Sequence, residues 1–189
     1  MSIFNLEEFR SSRLPTEEEI MSTWVGNSGA PKVSVICATF NQEGYIHDAI
    51  RGFLIQITEF PFEIIIHDDA STDNTAQIVH DYTMRYPKLI RPILQKENQY
   101  CKAPNSVLTI SAGHARGEYL AICEGDDFWI SSEKLKIQIE EMQKHPEINI
   151  SFHREFRGGL ENPEKNVTET LRSRILFPKK IEVFSPRAV

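Results

Sequence analysis

Glu124, Asp126 and Asp127 follow directly on the apolar run Tyr119–Cys123, and Asp68, Asp69 and Asp73 follow on a second apolar run, Phe62–Ile66. Carboxylates crowded into one crevice repel each other and resist ionising unless something positive joins them. A hard divalent cation is the simplest such partner. Magnesium-like ions take one or two protein carboxylates and leave their other positions to water and substrate phosphates. Asp126 and Asp127 suit that arrangement. Asp68 and Asp69 are better placed as acceptors for the N–H or O–H groups of a base or ribose. Gly125 would let the backbone approach a ligand closely. A plainer reading stands beside this one. The stretch DDASTDN is rich in residues that close turns and start helices, and EGDD alone would make a surface turn. A calcium loop is disfavoured, because the central Gly and terminal Glu of that motif are missing.

The elements that would position these acids alternate. VSVICA (33–38), FEIIIH (62–67), LIRPIL (89–94), EYLAIC (118–123) and INISFH (148–153) read as strands. Pro92 places the third at a sheet edge. Between them, Tyr45, Ile46, Ala49, Ile50, Phe53, Leu54 and Ile57 recur at helical spacing. A second helix begins at Asn74, with Gln77 as a weak capping-box partner and a stripe of Ile78, Val79, Tyr82 and Tyr86. A third spans 104–115 with Pro104 in its first turn. A fourth spans 131–145, with Leu135, Ile139 and Met142 facing inward, Ile137 off the stripe and Pro146 as the stop. This alternation predicts an α/β fold with an open, mostly parallel sheet and helices on both faces. Ligands of such sheets bind beyond the carboxyl ends of the strands, where both acid clusters fall. After about His153 the pattern degrades into a polar stretch, and only ILF (175–177) and IEVF (181–184) suggest further strands.

The bulk properties narrow the function. The chain has 189 residues, enough for one domain or slightly more, and 40% of them are hydrophobic. With 21 basic and 27 acidic residues it carries −6, which argues against a nucleic-acid partner. Cys37, Cys101 and Cys123 form no framework and suit a reducing, cytoplasmic setting. The N-terminus is polar and acidic, without the apolar stretch of a secretory signal, and no run is long enough to span a membrane. The sequon at Asn166 is read as chance. Neither GxGxxG nor a Walker loop occurs, the six histidines lack metal-ligand spacing, and Ser71 and Ser111 sit in no nucleophile elbow. His67, at a strand end, reads as structural. Phe128 and Trp129 either wall a sugar pocket or pack beneath the acid loop.

VSVICATFNQEGYIHDAI, FEIIIHDDASTDNT, ARGEYLAICEGDDFW and KLKIQIEEM, in that order, resemble family 2 glycosyltransferases with the nucleotide-diphospho-sugar (GT-A) fold. The resemblance runs from about Val33 to His153. It implies that Ala38, Thr39, Phe40 and Asn41 lie along the nucleotide, and that Asp69 contacts the base, often a uracil. It implies that Asp126 and Asp127 sit at a Mn2+ or Mg2+ ion and the diphosphate, with Glu124 near the ribose or sugar. Asn105 and ARGEY match a pattern that frames the donor site, and Lys102 in the same loop would meet phosphate. The implied reaction moves a sugar, with inversion, from a nucleotide-diphospho-sugar, UDP by preference, to the hydroxyl of a saccharide or lipid-linked saccharide. The family setting is bacterial surface polysaccharide synthesis, cytoplasmic, with peripheral contact to the inner face of the membrane or a biosynthetic complex. The alternative is a non-catalytic or truncated nucleotide-sugar-binding module.

Two departures qualify the resemblance. Glu124 stands where the family usually has Asp. Family members also continue into an acceptor half that carries an acidic catalytic base, which here cannot be named among Glu155, Glu161, Glu164 and Glu169. The expected layout is an N-terminal extension and linker (1–31), a nucleotide-sugar-binding GT-A domain (32–153) and a reduced or truncated acceptor-side segment (154–189).

Overall fold

The computed structural model describes residues 4–25, 29–157 and 168–176. IEVF, the Asn166 sequon, and the side chains of the four candidate bases lie outside what is described. The elements run α1 (Leu6–Ser11), α2 (Glu17–Ser22), β1 (Val33–Thr39), α3 (Ile46–Leu54), β2 (Phe62–Asp68), α4 (Thr75–Arg85), β3 (Ile90–Leu94), α5 (Ser106–His114), β4 (Tyr119–Glu124), α6 (Lys134–Lys144), β5 (Ile150–Arg157) and β6 (Thr168–Leu176). They build one sheet in the order β3-β2-β1-β4-β6-β5. The β1–β2, β2–β3 and β1–β4 pairings are parallel. Pro92 does lie on an edge strand.

Both faces of the parallel strands are covered, as their continuous apolar character requires. Val33, Val35 and Cys37 of β1, with Ile64 and Ile66 of β2, join one core cluster under α3, α4 and α6. The alternate residues Ile36 and Ile65 are equally buried and face the side of α5, where Ser111 hydrogen-bonds His67 across the layer at 2.8 Å. On α6, Leu135, Ile139 and Met142 are buried and Ile137 is 51% exposed, as its stripe predicts. The α3 stripe is shorter than its spacing suggested: Tyr45 and Ile57, at its two ends, are exposed.

Three features differ from the sequence expectation. The fifth strand does not extend the parallel sheet. It pairs antiparallel with β6, which is itself antiparallel to β4. β6 also begins at Thr168, inside the stretch whose polarity suggested no strand; backbone pairing on two sides asks nothing of side-chain polarity. Finally, the capping box expected at Asn74 does not form. Asn74 makes no side-chain cap, Asp73 takes the Thr75 amide at 2.9 Å instead, and Gln77 turns to Asp81.

The N-terminal segment packs on the domain. Thr16 and Glu19 close a capping box on α2. Ile20 enters the core cluster. Buried Glu17 accepts the Lys88 and Leu89 amides at 2.6 and 3.1 Å, and Tyr86 donates its hydroxyl to Pro15 O.

Candidate functional site

The strand order reverses at β1. The chain leaves it toward β2 and β3 and returns on its other side as β4. The crevice beyond the carboxyl ends of β1 and β4 is therefore the place where such a sheet binds ligands. Register brings the predicted residues there: Thr39 lies opposite Asp68 on one side, and Ala38 lies opposite Glu124 on the other.

The loops after β1 and β2 are sewn together. Asn41 adopts a left-handed backbone (φ 52°), which Asn tolerates better than most residues. Its side-chain oxygen accepts the Thr72 amide at 2.7 Å, while its own amide donates to Ser71 Oγ at 2.9 Å. Gln42 N donates to Thr75 Oγ1, Glu43 N to Asp73, and Asn74 N to Glu43. Most of DDASTDN thus serves as a clasp. Asp68 is buried and accepts the Ser71 amide and hydroxyl, so it closes a turn where ligand contact was expected.

Asp69 is 2% exposed. Its two oxygens accept the Gln99 amide at 2.7 Å and the Tyr100 amide at 2.9 Å, pinning the loop after β3 to the crevice. Each oxygen keeps a further lone pair. Lys102, expected at phosphate, pairs with Glu97 at 2.6 Å on the exposed rim of this loop. Asp69→Ala is expected to release the loop, at a cost of about 1.5–3 kcal/mol for a hydrogen bond to a charged group. Hydrogen exchange at Gln99 and Tyr100 checks this; unchanged protection would show that the loop holds itself.

The acid loop is seated by its glycine. Gly125 N donates to Ala38 O at 2.8 Å. A Cβ there would stand 2.4 Å from Gln42 Oε1 and 2.8 Å from both Thr39 Cβ and Thr39 Oγ1. The close approach that requires this glycine is therefore to β1 and its loop. Thr39 Oγ1 and Gln42 Oε1 are buried without a hydrogen-bond partner. Glu124, Asp126 and Asp127 themselves are exposed. Their field is felt behind the sheet end: burial pushes the Cys37 thiol up, and Asp126, Glu124 and Asp127 push it further.

Behind the acids the aromatics are structural. Trp129 is 4% exposed, packs edge-on to Phe53 at 4.8 Å and lies beneath Lys134 Nζ at 4.0 Å. Burial pushes that ammonium down to about 7. Phe128 turns to Phe4 and Phe9. Gly52 sits against the Trp129 backbone, with room for no Cβ; a glycine inside an apolar helix pattern was the available signal for that contact.

Among the described residues no three His, Cys, Asp or Glu side chains form a metal cage. Two adjacent exposed carboxylates instead fit an ion that keeps water and phosphate ligands. No Lys or Arg of the described residues forms an ion pair with Glu124 or Asp126. The ARGEY expectation is corrected. Arg116 and Gly117 lie at the amino ends of the strands, where Gly117 N and Arg116 N reach Ser34 Oγ, at the far edge from the acids. Asn105 precedes α5 without capping it by its side chain.

Residues 34–186 match the family model Glycosyl transferase family 2. The chain belongs to that family. Over 121 residues this family 2 chain is 50% identical to an uncharacterized protein of Mycobacterium tuberculosis, covering 64% of this chain and 34% of that protein. It is 33% identical over 120 residues to the Escherichia coli UDP-Glc:alpha-D-GlcNAc-diphosphoundecaprenol beta-1,3-glucosyltransferase WfgD, covering 64% and 43%. The Staphylococcus aureus TarS 1–349 structure in complex with UDP-GlcNAc superposes with TM-score 0.53 at 30% identity, covering 63% of this chain and 33% of that one. The family 2 chain thus has the GT-A fold and spans about a third of the length of its mycobacterial relatives.

Proposed function

We propose that this family 2 chain holds a nucleotide-diphospho-sugar, with UDP as the nucleotide, for inverting transfer to the hydroxyl of a saccharide or lipid-linked saccharide. The observation that carries the proposal is the braced loop that presents Glu124, Asp126 and Asp127 at the β1–β4 switch point. The E. coli and S. aureus relatives, named for UDP-Glc and crystallised with UDP-GlcNAc, support the donor class.

In the reaction, the bond from the anomeric carbon to the diphosphate oxygen breaks and a bond to the acceptor oxygen forms on the opposite face. The acceptor proton leaves to a carboxylate base. The transition state is oxocarbenium-like. Asp126 and Asp127 would hold Mn2+ or Mg2+, which when bound supplies Lewis-acid stabilisation of the departing diphosphate. Glu124, an acceptor only, takes hydroxyl hydrogens of ribose or sugar. Asp69 offers its remaining lone pairs to the base N–H while it fixes the loop beside it. Thr39 and Gln42 pack closely against Gly125 at the base of the acid loop.

The lipid-linked acceptor in the name of the E. coli relative supports the further reading that the reaction runs at the cytoplasmic face of a membrane, in surface polysaccharide synthesis. Among the described residues no helix is long and apolar enough to cross that membrane.

Calorimetric titration of UDP in the presence of Mn2+ tests the reading. Asp127→Asn is expected to weaken metal-dependent binding by about 10- to 100-fold, with the melting temperature kept because the side chain is exposed. Equal binding by parent and variant would overturn the assignment. Slow metal-dependent release of UDP from a UDP-sugar separates a working transfer site from a donor-binding module.

A further inference from the structure

α1 and the residues around it were no part of the donor site as the motifs define it, yet they touch it. Phe9 is 9% exposed. Its ring centroid lies 5.1 Å from that of Phe128, and Phe4 completes a triangle at 5.7 Å from Phe9 and 5.9 Å from Phe128. Phe128 is the residue directly after Asp127.

The segment is anchored firmly enough to transmit position. Arg10 Nε donates to both oxygens of buried Asp48 on α3 at 3.0 Å, and its terminal nitrogen reaches the same carboxylate. Such forked pairing fixes orientation as well as distance. Arg51, also on α3, donates to Ser12 O at 2.7 Å and stands 5.8 Å from the Phe9 ring. Within the acid loop, Cys123 Sγ donates to Asp127 O at 3.6 Å. The loop's backbone turn bond is Asp127 N to Glu124 O at 3.1 Å, and Gly125 and Trp129 are gripped at its two ends. Between those grips stand the two carboxylates, and the Phe4–Phe9 pair meets the loop at the next residue.

We propose that Phe9 is a positioning residue for Asp126 and Asp127. Its ring, held in place by the Arg10–Asp48 pair, seats Phe128 and so sets the path of the loop between Gly125 and Trp129. The proposal rests on the donor-site reading above.

The test compares Phe9→Ala and Phe9→Leu with Ile20→Ala in the full chain. Ile20 lies in the same N-terminal segment but belongs to the main core cluster. Hydrogen exchange without ligand is read at the amides of Gly125–Trp129, and UDP binding with Mn2+ is read by calorimetry. Phe9→Ala is expected to speed exchange at those amides and weaken binding by about 10- to 100-fold, with Phe9→Leu restoring part of both. Ile20→Ala is expected to lower the melting temperature and move neither readout. If both Phe9 variants leave the loop amides as protected as Ile20→Ala does, the proposal is overturned; Phe9→Leu keeps that test available should the alanine variant unfold. If the parent fails to bind UDP with Mn2+ while Phe9→Ala still loosens the loop, the donor-site reading falls and the mechanical link stands.

Discussion

Gly125→Ala is expected to cost both stability and donor binding, because two separate loops meet where the new methyl group would go. The Gln42 amide end, 2.4 Å away, can swing aside. Thr39 Cβ, at 2.8 Å, cannot, because it is fixed to the last residue of a central strand. The acid loop must lift instead, stretching the bond from Gly125 N to Ala38 O. Overpacking of this kind costs about 1–3 kcal/mol. On the proposed function, the same lift displaces the carboxylates that would hold the metal and diphosphate, and binding is expected to weaken about 10- to 100-fold. Thermal unfolding and titration with UDP and Mn2+ measure the two effects separately. A variant that melts and binds like the parent would show that the approach of these loops is not needed.

The larger effect on stability alone is expected at the opposite edge of the sheet. Glu63 is 1% exposed and is surrounded by donors. Arg116 reaches one oxygen through Nε at 2.9 Å and a terminal nitrogen at 2.7 Å, and Arg91 joins it at 3.0 Å. Ser34 Oγ and the Arg116 amide supply the other oxygen. Glu63→Ala removes the common acceptor of all these groups. Breaking a buried pair costs about 3–5 kcal/mol, and the lower end applies because Arg91 and Arg116 are partly exposed and can rehydrate. The pH dependence follows from the same contacts. Burial alone would raise the Glu63 carboxyl, but the hydrogen bonds from Arg116, Ser34 and Arg91 outweigh it and hold the group below its ordinary value. Its contribution is therefore complete above the unfolded-state value of about 4.3 and is lost as pH falls through the lower folded-state value. Urea unfolding of parent and variant should differ most at neutral pH and converge in acid. A constant difference down to pH 3 would remove Glu63 from the account.

The frame of the fold was legible because it rests on local pattern. Continuous apolar runs marked β1, β2 and β4, Pro92 marked the edge, and Leu135, Ile139 and Met142 marked the inward face of α6. The site was legible in outline because strand ends in such a sheet share one edge. The division of labour among its acids was hidden. A carboxylate oxygen accepts a ligand N–H and a loop N–H equally well, so the residue types could not show that Asp68 closes on Ser71 or that Asp69 holds Gln99 and Tyr100. The ARGEY segment was placed at the donor site by family pattern alone, yet its arginine pairs with a glutamate of another strand. The role of the N-terminal segment was hidden by distance along the chain. Nothing local to Phe9 or Glu17 names Phe128 or Leu89 as its neighbour.

The placement of Trp129 makes the acid loop observable by light. The chain has two tryptophans. Trp24 sits in the N-terminal segment, edge-on to Phe62, whereas Trp129 lies two residues beyond Asp127 with Lys134 over its ring. Indole emission responds to nearby charge, and here Lys134, whose ammonium burial pushes down to about 7, sits on the ring face. With Trp24 changed to phenylalanine, the remaining fluorophore would be native, buried and joined by backbone to the residues proposed to meet the diphosphate. Ligand titrations could then be followed optically, without a dye or a coupled assay.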